Sequence, residues 1–69
     1  MKRQPVKSSN LSSVGYDGDA QTLEVEFLSG SIYQYFEVPS AKHSALLDAE
    51  SVGGYFSRNI KNNYRFERL

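Results

Sequence analysis

Catalysis needs nucleophiles, bases or ligands that converge, and this chain offers few residues able to do so. Cysteine is absent and His43 is the only histidine, which removes disulfides, zinc–thiolate sites and thiol nucleophiles together. Serines are plentiful, yet only His43 could serve as their base, and no glycine-flanked nucleophile elbow occurs. His43 falls in the polar first turns of a predicted helix, which reads as solvated surface. Glu24 and Glu26 alternate with apolar residues, so in a strand both carboxylates share one face. That face could hold an acid/base or metal pair, but it is also the ordinary wet side of an amphipathic strand. Asp17-Gly18-Asp19 resembles the start of a calcium loop without the downstream acidic ligand, and reads as a turn. Gly53-Gly54 at a helix start could offer free N–H groups to an anion, or allow close packing against the sheet. No catalytic residue, metal ligand or cofactor site is predicted.

One constellation points to binding. Tyr55-Phe56-Ser57-Arg58-Asn59-Ile60-Lys61-Asn62-Asn63-Tyr64-Arg65-Phe66 interleaves four aromatics with cations and amides. Cations neutralise phosphates, exposed aromatics stack on bases, and asparagine can read base edges. Arg58, Lys61, Asn62, Tyr64, Arg65 and Arg68 are the candidate nucleic-acid contacts. The structural alternative is that Phe56 and Ile60 are core and the cations simply suit a helix C-terminus. Net charge is zero, with eight basic and eight acidic side chains, so the sum implies no polyanionic partner. The distribution is uneven. Lys2, Arg3 and Lys7 give the first ten residues +3, residues 11–54 carry −6, and residues 55–69 carry +3.

The elements that would position these residues follow from periodicity. Residues 1–7 are polar and basic and contain Pro5, which predicts a flexible arm ahead of one domain over 8–69. Leu11, Val14 and Tyr16 mark a first strand, and Asp17 to Gln21 a connection. Leu23, Val25 and Phe27 alternate with Glu24 and Glu26, the pattern of a half-buried strand. Ile32-Tyr33-Gln34-Tyr35-Phe36 is rich in aromatics and completes a hairpin. Its register has two solutions. A two-residue loop at Ser29-Gly30 places Tyr33 and Tyr35 outside with the glutamates. A three-residue loop, Leu28-Ser29-Gly30, places them inside, opposite Val25 and Leu23, and Gly30 at its third position favours it.

Val38-Pro39 stops the strand and opens a helix from Ser40 to Ala49, with Ala45, Leu46 and Ala49 as its buried stripe. Ser51 caps a second helix carrying Val52, Phe56 and Ile60, which Asn62-Asn63 ends. Tyr64-Arg65-Phe66-Glu67 alternates as a candidate last strand. The expected class is α+β: an antiparallel three-stranded meander plus this C-terminal strand, two short helices on one face, order β-β-β-α-α-β. With 69 residues there is one core, and five tyrosines and four phenylalanines must supply its bulk. No signal-peptide pattern or membrane-length apolar run occurs, so a cytoplasmic location is expected.

Val14-Gly15-Tyr16-Asp17, then Leu23, Val25 and Phe27, Gly30, Tyr33-Gln34-Tyr35, Val38-Pro39, and Ser51-Val52-Gly53-Gly54-Tyr55-Phe56 with Ile60 and Tyr64 together resemble the KTSC domain over residues 8–66. This short module is named for its place at the C-terminus of some lysyl-tRNA synthetases, and also occurs as a stand-alone bacterial or phage protein. The resemblance implies a tRNA-related context, offers no catalytic residues to carry over, and makes Tyr33 and Tyr35 motif residues with a structural role.

Two functions of different class follow. The first is a non-catalytic RNA-binding module, for tRNA or a single strand, using the basic aromatic C-terminal surface with Lys2, Arg3 and Lys7 in support. The second is a protein-interaction module, using an exposed sheet face with Ile32, Gln34 and Phe36 or an open edge strand. In that reading Phe36 would need cover from a partner or a weak homodimer.

Overall fold

A computed structural model describes residues 1–69. Five antiparallel strands form one meander in chain order: β1 (Arg3–Pro5), β2 (Leu11–Asp17), β3 (Thr22–Phe27), β4 (Ile32–Tyr35) and β5 (Phe66–Arg68). Between β4 and β5 come helices α1 (Ser40–Asp48) and α2 (Val52–Asn59). The order is β-β-β-β-α-α-β, an α+β fold that differs from the expected one by a single strand. That strand is β1. Where the sequence predicted an arm, Arg3, Gln4 and Pro5 pair with Gly15, Val14 and Ser13. A three-residue edge strand of Arg, Gln and Pro has no apolar alternation to announce it, and proline is tolerated there because an edge strand can leave one side of its backbone unpaired.

The β3–β4 hairpin sets the geometry of everything beyond it. Phe27 N–H donates to the Ser31 carbonyl and Gly30 N–H to the Phe27 carbonyl, both at 2.9 Å, closing the three-residue loop Leu28-Ser29-Gly30. Gly30 sits at φ 96°, a left-handed conformation that side chains disfavour and glycine accepts. Tyr33 and Tyr35 therefore lie opposite Val25 and Leu23, on the helix side of the sheet. In β2, Leu11 and Val14 are both buried although three apart; a register shift between Leu11 and Ser13 restores the alternation.

The core joins this inner face to the helices: Leu11, Val14, Leu23, Val25 and Tyr35 from the sheet meet Val38, Leu46, Val52, Phe56 and Ile60. Ser51 caps α2, its hydroxyl accepting from Gly54 N–H at 3.0 Å. Leu46 alone of α1 is fully buried. The helical part of α2 stops at Asn59, and Ile60 closes it by donating to the Phe56 carbonyl at 3.0 Å. Asn62 and Asn63 thus lie in the turn beyond the helix and do not end it; Ile60, at φ −121°, is the residue that leaves helical geometry.

Candidate nucleic-acid interface

Aromatic packing begins in the core and runs outward. Phe56, 1% exposed, meets Tyr35 edge-on at 5.3 Å and Phe27 at 5.7 Å. Phe27 meets Tyr33 edge-on at 5.5 Å. Phe66 completes the series on β5, tilted against Tyr33 at 5.8 Å and Tyr35 at 5.7 Å. It is 54% exposed. Beside Phe66 opens a groove of about 360 Å³, walled by Phe27, Tyr33, Tyr35 and Phe66 and rimmed by Ser29, Ser31, Lys61 and Asn62. Burial, and then the neighbouring Tyr33, push the Tyr35 phenol above its ordinary pKa.

Strand alternation sorts the charged residues of the C-terminal segment. Phe66 pairs with Tyr35 and Arg68 with Tyr33, whereas Glu67 pairs with Gln34 on the opposite face. Cross-strand partners point the same way, so Phe66 and Arg68 face the groove side and Glu67 faces away. Arg68 donates to the Ser31 hydroxyl at 3.1 Å, which fixes it beside the groove. No Asp or Glu side chain lines the groove.

The six candidate contacts do not form one cluster. Lys61 and Asn62 line the groove, and Arg68 adjoins it through Ser31. Tyr64 packs against the core. Arg58 folds back along α2 towards Gly54. Arg65 lies on the other face of the sheet, its guanidinium carbon 5.2 Å from the centroid of the Phe36 ring. Phe36 is thus half-buried, with Arg65 of its own chain over part of its ring. Phe66, Ser29 and Ser31 were not among the candidates. The i, i+2 relation of Phe66 to Arg68 is the signal that pairs them once β5 is registered on β4.

The outer face of the sheet is closed by a polar rung. Arg3, Gly15, Glu24, Gln34 and Glu67 are consecutive cross-strand partners. A side chain at Gly15 would collide with the Lys2 carbonyl at 2.9 Å and Arg3 Cγ at 3.0 Å. Its absence lets Arg3 cross β2 and donate to the Glu24 carboxylate. Gln34 donates to the other Glu24 oxygen at 2.9 Å, and Arg3 Nε to Ser13 at 3.0 Å. Glu24 is only 7% exposed, so it is not the wet side chain that alternation predicts. Burial alone would raise its pKa; the Gln34 and Arg3 hydrogen bonds and the Arg3 charge outweigh that and hold it below the ordinary glutamate value.

The other early candidates resolve into structure. His43 stacks on Tyr16, centroids 4.7 Å apart and planes within 11°. Burial depresses its pKa; it is a packing residue more than a solvated one. Asp17 caps its own turn, accepting from Asp19 and Ala20 N–H at 3.1 and 3.3 Å. Gly53 is buried under the loop before β2: a Cβ there would lie 2.3 Å from Asn10 Oδ1. No three His, Asp or Glu side chains gather where they could hold a metal ion, and no helix is long and apolar enough to cross a membrane.

Fold and groove together define a small α+β module with its two helices on one face of a five-strand meander and an aromatic groove where that face is left open. The KTSC domain model matches residues 7–64; the chain belongs to the KTSC domain family. It is 47% identical to an uncharacterised protein of Stutzerimonas stutzeri, covering all of this chain and 99% of that one. It is 40% identical over 63 residues to a lysine–tRNA ligase of Nostoc punctiforme, covering 91% of this chain but 11% of the ligase. The crystal structure of a KTSC domain protein from Yersinia pestis superposes with a TM-score of 0.96 at 38% identity, over 99% of this chain and 96% of that one.

Proposed function

We propose that this chain is a non-catalytic RNA-binding module whose contact surface is the groove side of the sheet, with Lys61, Asn62 and Arg68 touching the nucleic acid around Phe66. The observation that carries this reading is an aromatic groove with exposed Phe66 on its wall, Lys61 and Asn62 on its rim, Arg68 beside it and no acidic side chain in its lining. Phosphates would meet Lys61 and Arg68, and bases would meet the aromatic wall. Arg58 and Arg65 add to the local field without sharing the groove. The relationship to a lysine–tRNA ligase supports tRNA as a partner, and with it a cytoplasmic setting. A protein partner on the outer sheet face fits less well, because Arg65 lies over part of the Phe36 ring and the Arg3–Glu24–Gln34 rung satisfies its own polar groups.

Titrating the protein with tRNA at two salt concentrations tests the reading. Two or three cation–phosphate contacts give log affinity falling against log salt with a slope of about −2. Lys61→Gln and Arg68→Gln should each weaken binding and lower that slope. Absence of binding at low salt contradicts the proposal.

A further inference from the structure

We infer that the groove is a pocket for one unpaired nucleobase stacked against Phe66, so that the module prefers single-stranded RNA over duplex. This rests on the RNA-binding reading and adds to it a mode of recognition.

Phe66 is the outermost ring of a series that starts at buried Phe56, and one of its sides is taken by Tyr33 and Tyr35. More than half of the residue nonetheless remains exposed. With Phe27, Tyr33 and Tyr35 beside it, Phe66 gives the groove a contiguous aromatic lining, the kind of concave apolar surface that takes a flat ligand. A nucleobase is a flat π-surface that would extend the series by one layer, and stacking of this kind tolerates any base because every base has a π-face. The groove is at the small end of ligand-sized clefts, which suits one base with its sugar. Its rim carries what a base edge and its phosphate require. Asn62 offers an amide, Ser29 and Ser31 offer hydroxyls, and Lys61 and Arg68 offer charge, with no lining carboxylate to repel the backbone. A base inside a duplex has both faces stacked and its pairing edge occupied, so it cannot enter. RNA read at an aromatic site must present that base unpaired.

The chain contains no tryptophan, so Phe66→Trp places a single reporter at the proposed stacking site. Titration with a short oligoadenylate should quench its fluorescence, and a blunt RNA duplex of similar length should not. By anisotropy with labelled RNAs, the wild-type protein should bind the single strand at least about tenfold more tightly than the duplex. Phe66→Ala should weaken single-strand binding about tenfold or more, as loss of one stacked base does, and leave duplex binding unchanged. Phe66→Leu keeps the apolar contact with Tyr33 and Tyr35 but loses the aromatic face, and should behave like the alanine variant. Equal affinity for single strand and duplex, with no effect of either Phe66 variant but a clear effect of Lys61→Gln, would overturn the base pocket while leaving the RNA-binding reading intact. No binding of either RNA at low salt would overturn both.

Discussion

Tyr35 and Phe66 are cross-strand partners with ring centroids 5.7 Å apart, yet Tyr35 is 3% exposed and Phe66 is 54% exposed. The sheet extends one strand beyond the helices that cover it. On β4 inward-facing Tyr35 is core; on β5 the same orientation leaves Phe66 at the edge of the groove.

Stability should therefore fall steeply from one end of the aromatic series to the other. Phe56→Ala removes a fully buried ring and should cost about 3–5 kcal/mol, enough to unfold much of a domain this small. Phe66→Ala should cost about 1 kcal/mol or less, since half the ring is already wet. Urea denaturation of both variants checks the difference, and a comparable loss in the two would mean that β5 belongs to the core.

The Glu24 rung should be visible as pH-dependent stability. Its folded pKa lies below the unfolded value, so it contributes stability at neutral pH, and that contribution is lost as pH falls from about 4.3, the unfolded value, through the folded pKa. Glu24→Gln should flatten the acid limb of a stability-against-pH curve. Arg3→Ala should destabilise by about 1 kcal/mol at neutral pH, the loss of a partly screened charged hydrogen bond, and should show a smaller loss in acid.

His43 predicts a second, separate step. Burial favours its neutral form, so the unfolded chain takes up the proton first, and stability falls as pH drops below about 6.5, levelling off below the folded pKa. His43→Phe should keep the stack on Tyr16 and abolish this step without touching the Glu24 one. Melting temperatures between neutral and mildly acidic pH distinguish the two.

Two glycines should respond to alanine for opposite reasons. At Gly30 nothing lies within 4 Å of a new Cβ, but φ is 96°, so Gly30→Ala should cost about 1–2 kcal/mol in backbone strain alone. At Gly53 a Cβ would lie 2.3 Å from Asn10 Oδ1. Gly53→Ala should cost about 1 kcal/mol or less, because Oδ1 is the far end of an exposed side chain that can turn away and alanine has the better helix propensity. Asn10→Ala should recover part of the Gly53→Ala loss and none of the Gly30→Ala loss.

Local signals carried much of the fold. The alternation of Leu23, Val25 and Phe27, the glycine of the hairpin loop and the Ser51 cap each act within a few residues, so the start of α2 could be read directly and the inward register of Tyr33 and Tyr35 was the favoured one of two. What escaped depended on pairing between distant segments. β1 exists because Arg3 finds Glu24 across Gly15, a contact spanning 21 residues that no local pattern encodes. Glu24 looked solvent-facing for the same reason. The binding candidates were drawn as one linear cluster, and only the register of β5 on β4 shows that Arg65 and Arg68 point to opposite faces while Phe66 joins Arg68.

An amide chemical-shift map recorded during titration with single-stranded RNA distinguishes the groove side of the sheet from its outer face as the contact surface. Shifts are expected at Ser29, Ser31, Lys61, Asn62, Phe66 and Arg68, with Arg3, Ser13, Glu24 and Glu26 on the outer face unmoved. Shifts confined to the outer face, or none at all at low salt, would contradict a groove-side contact surface.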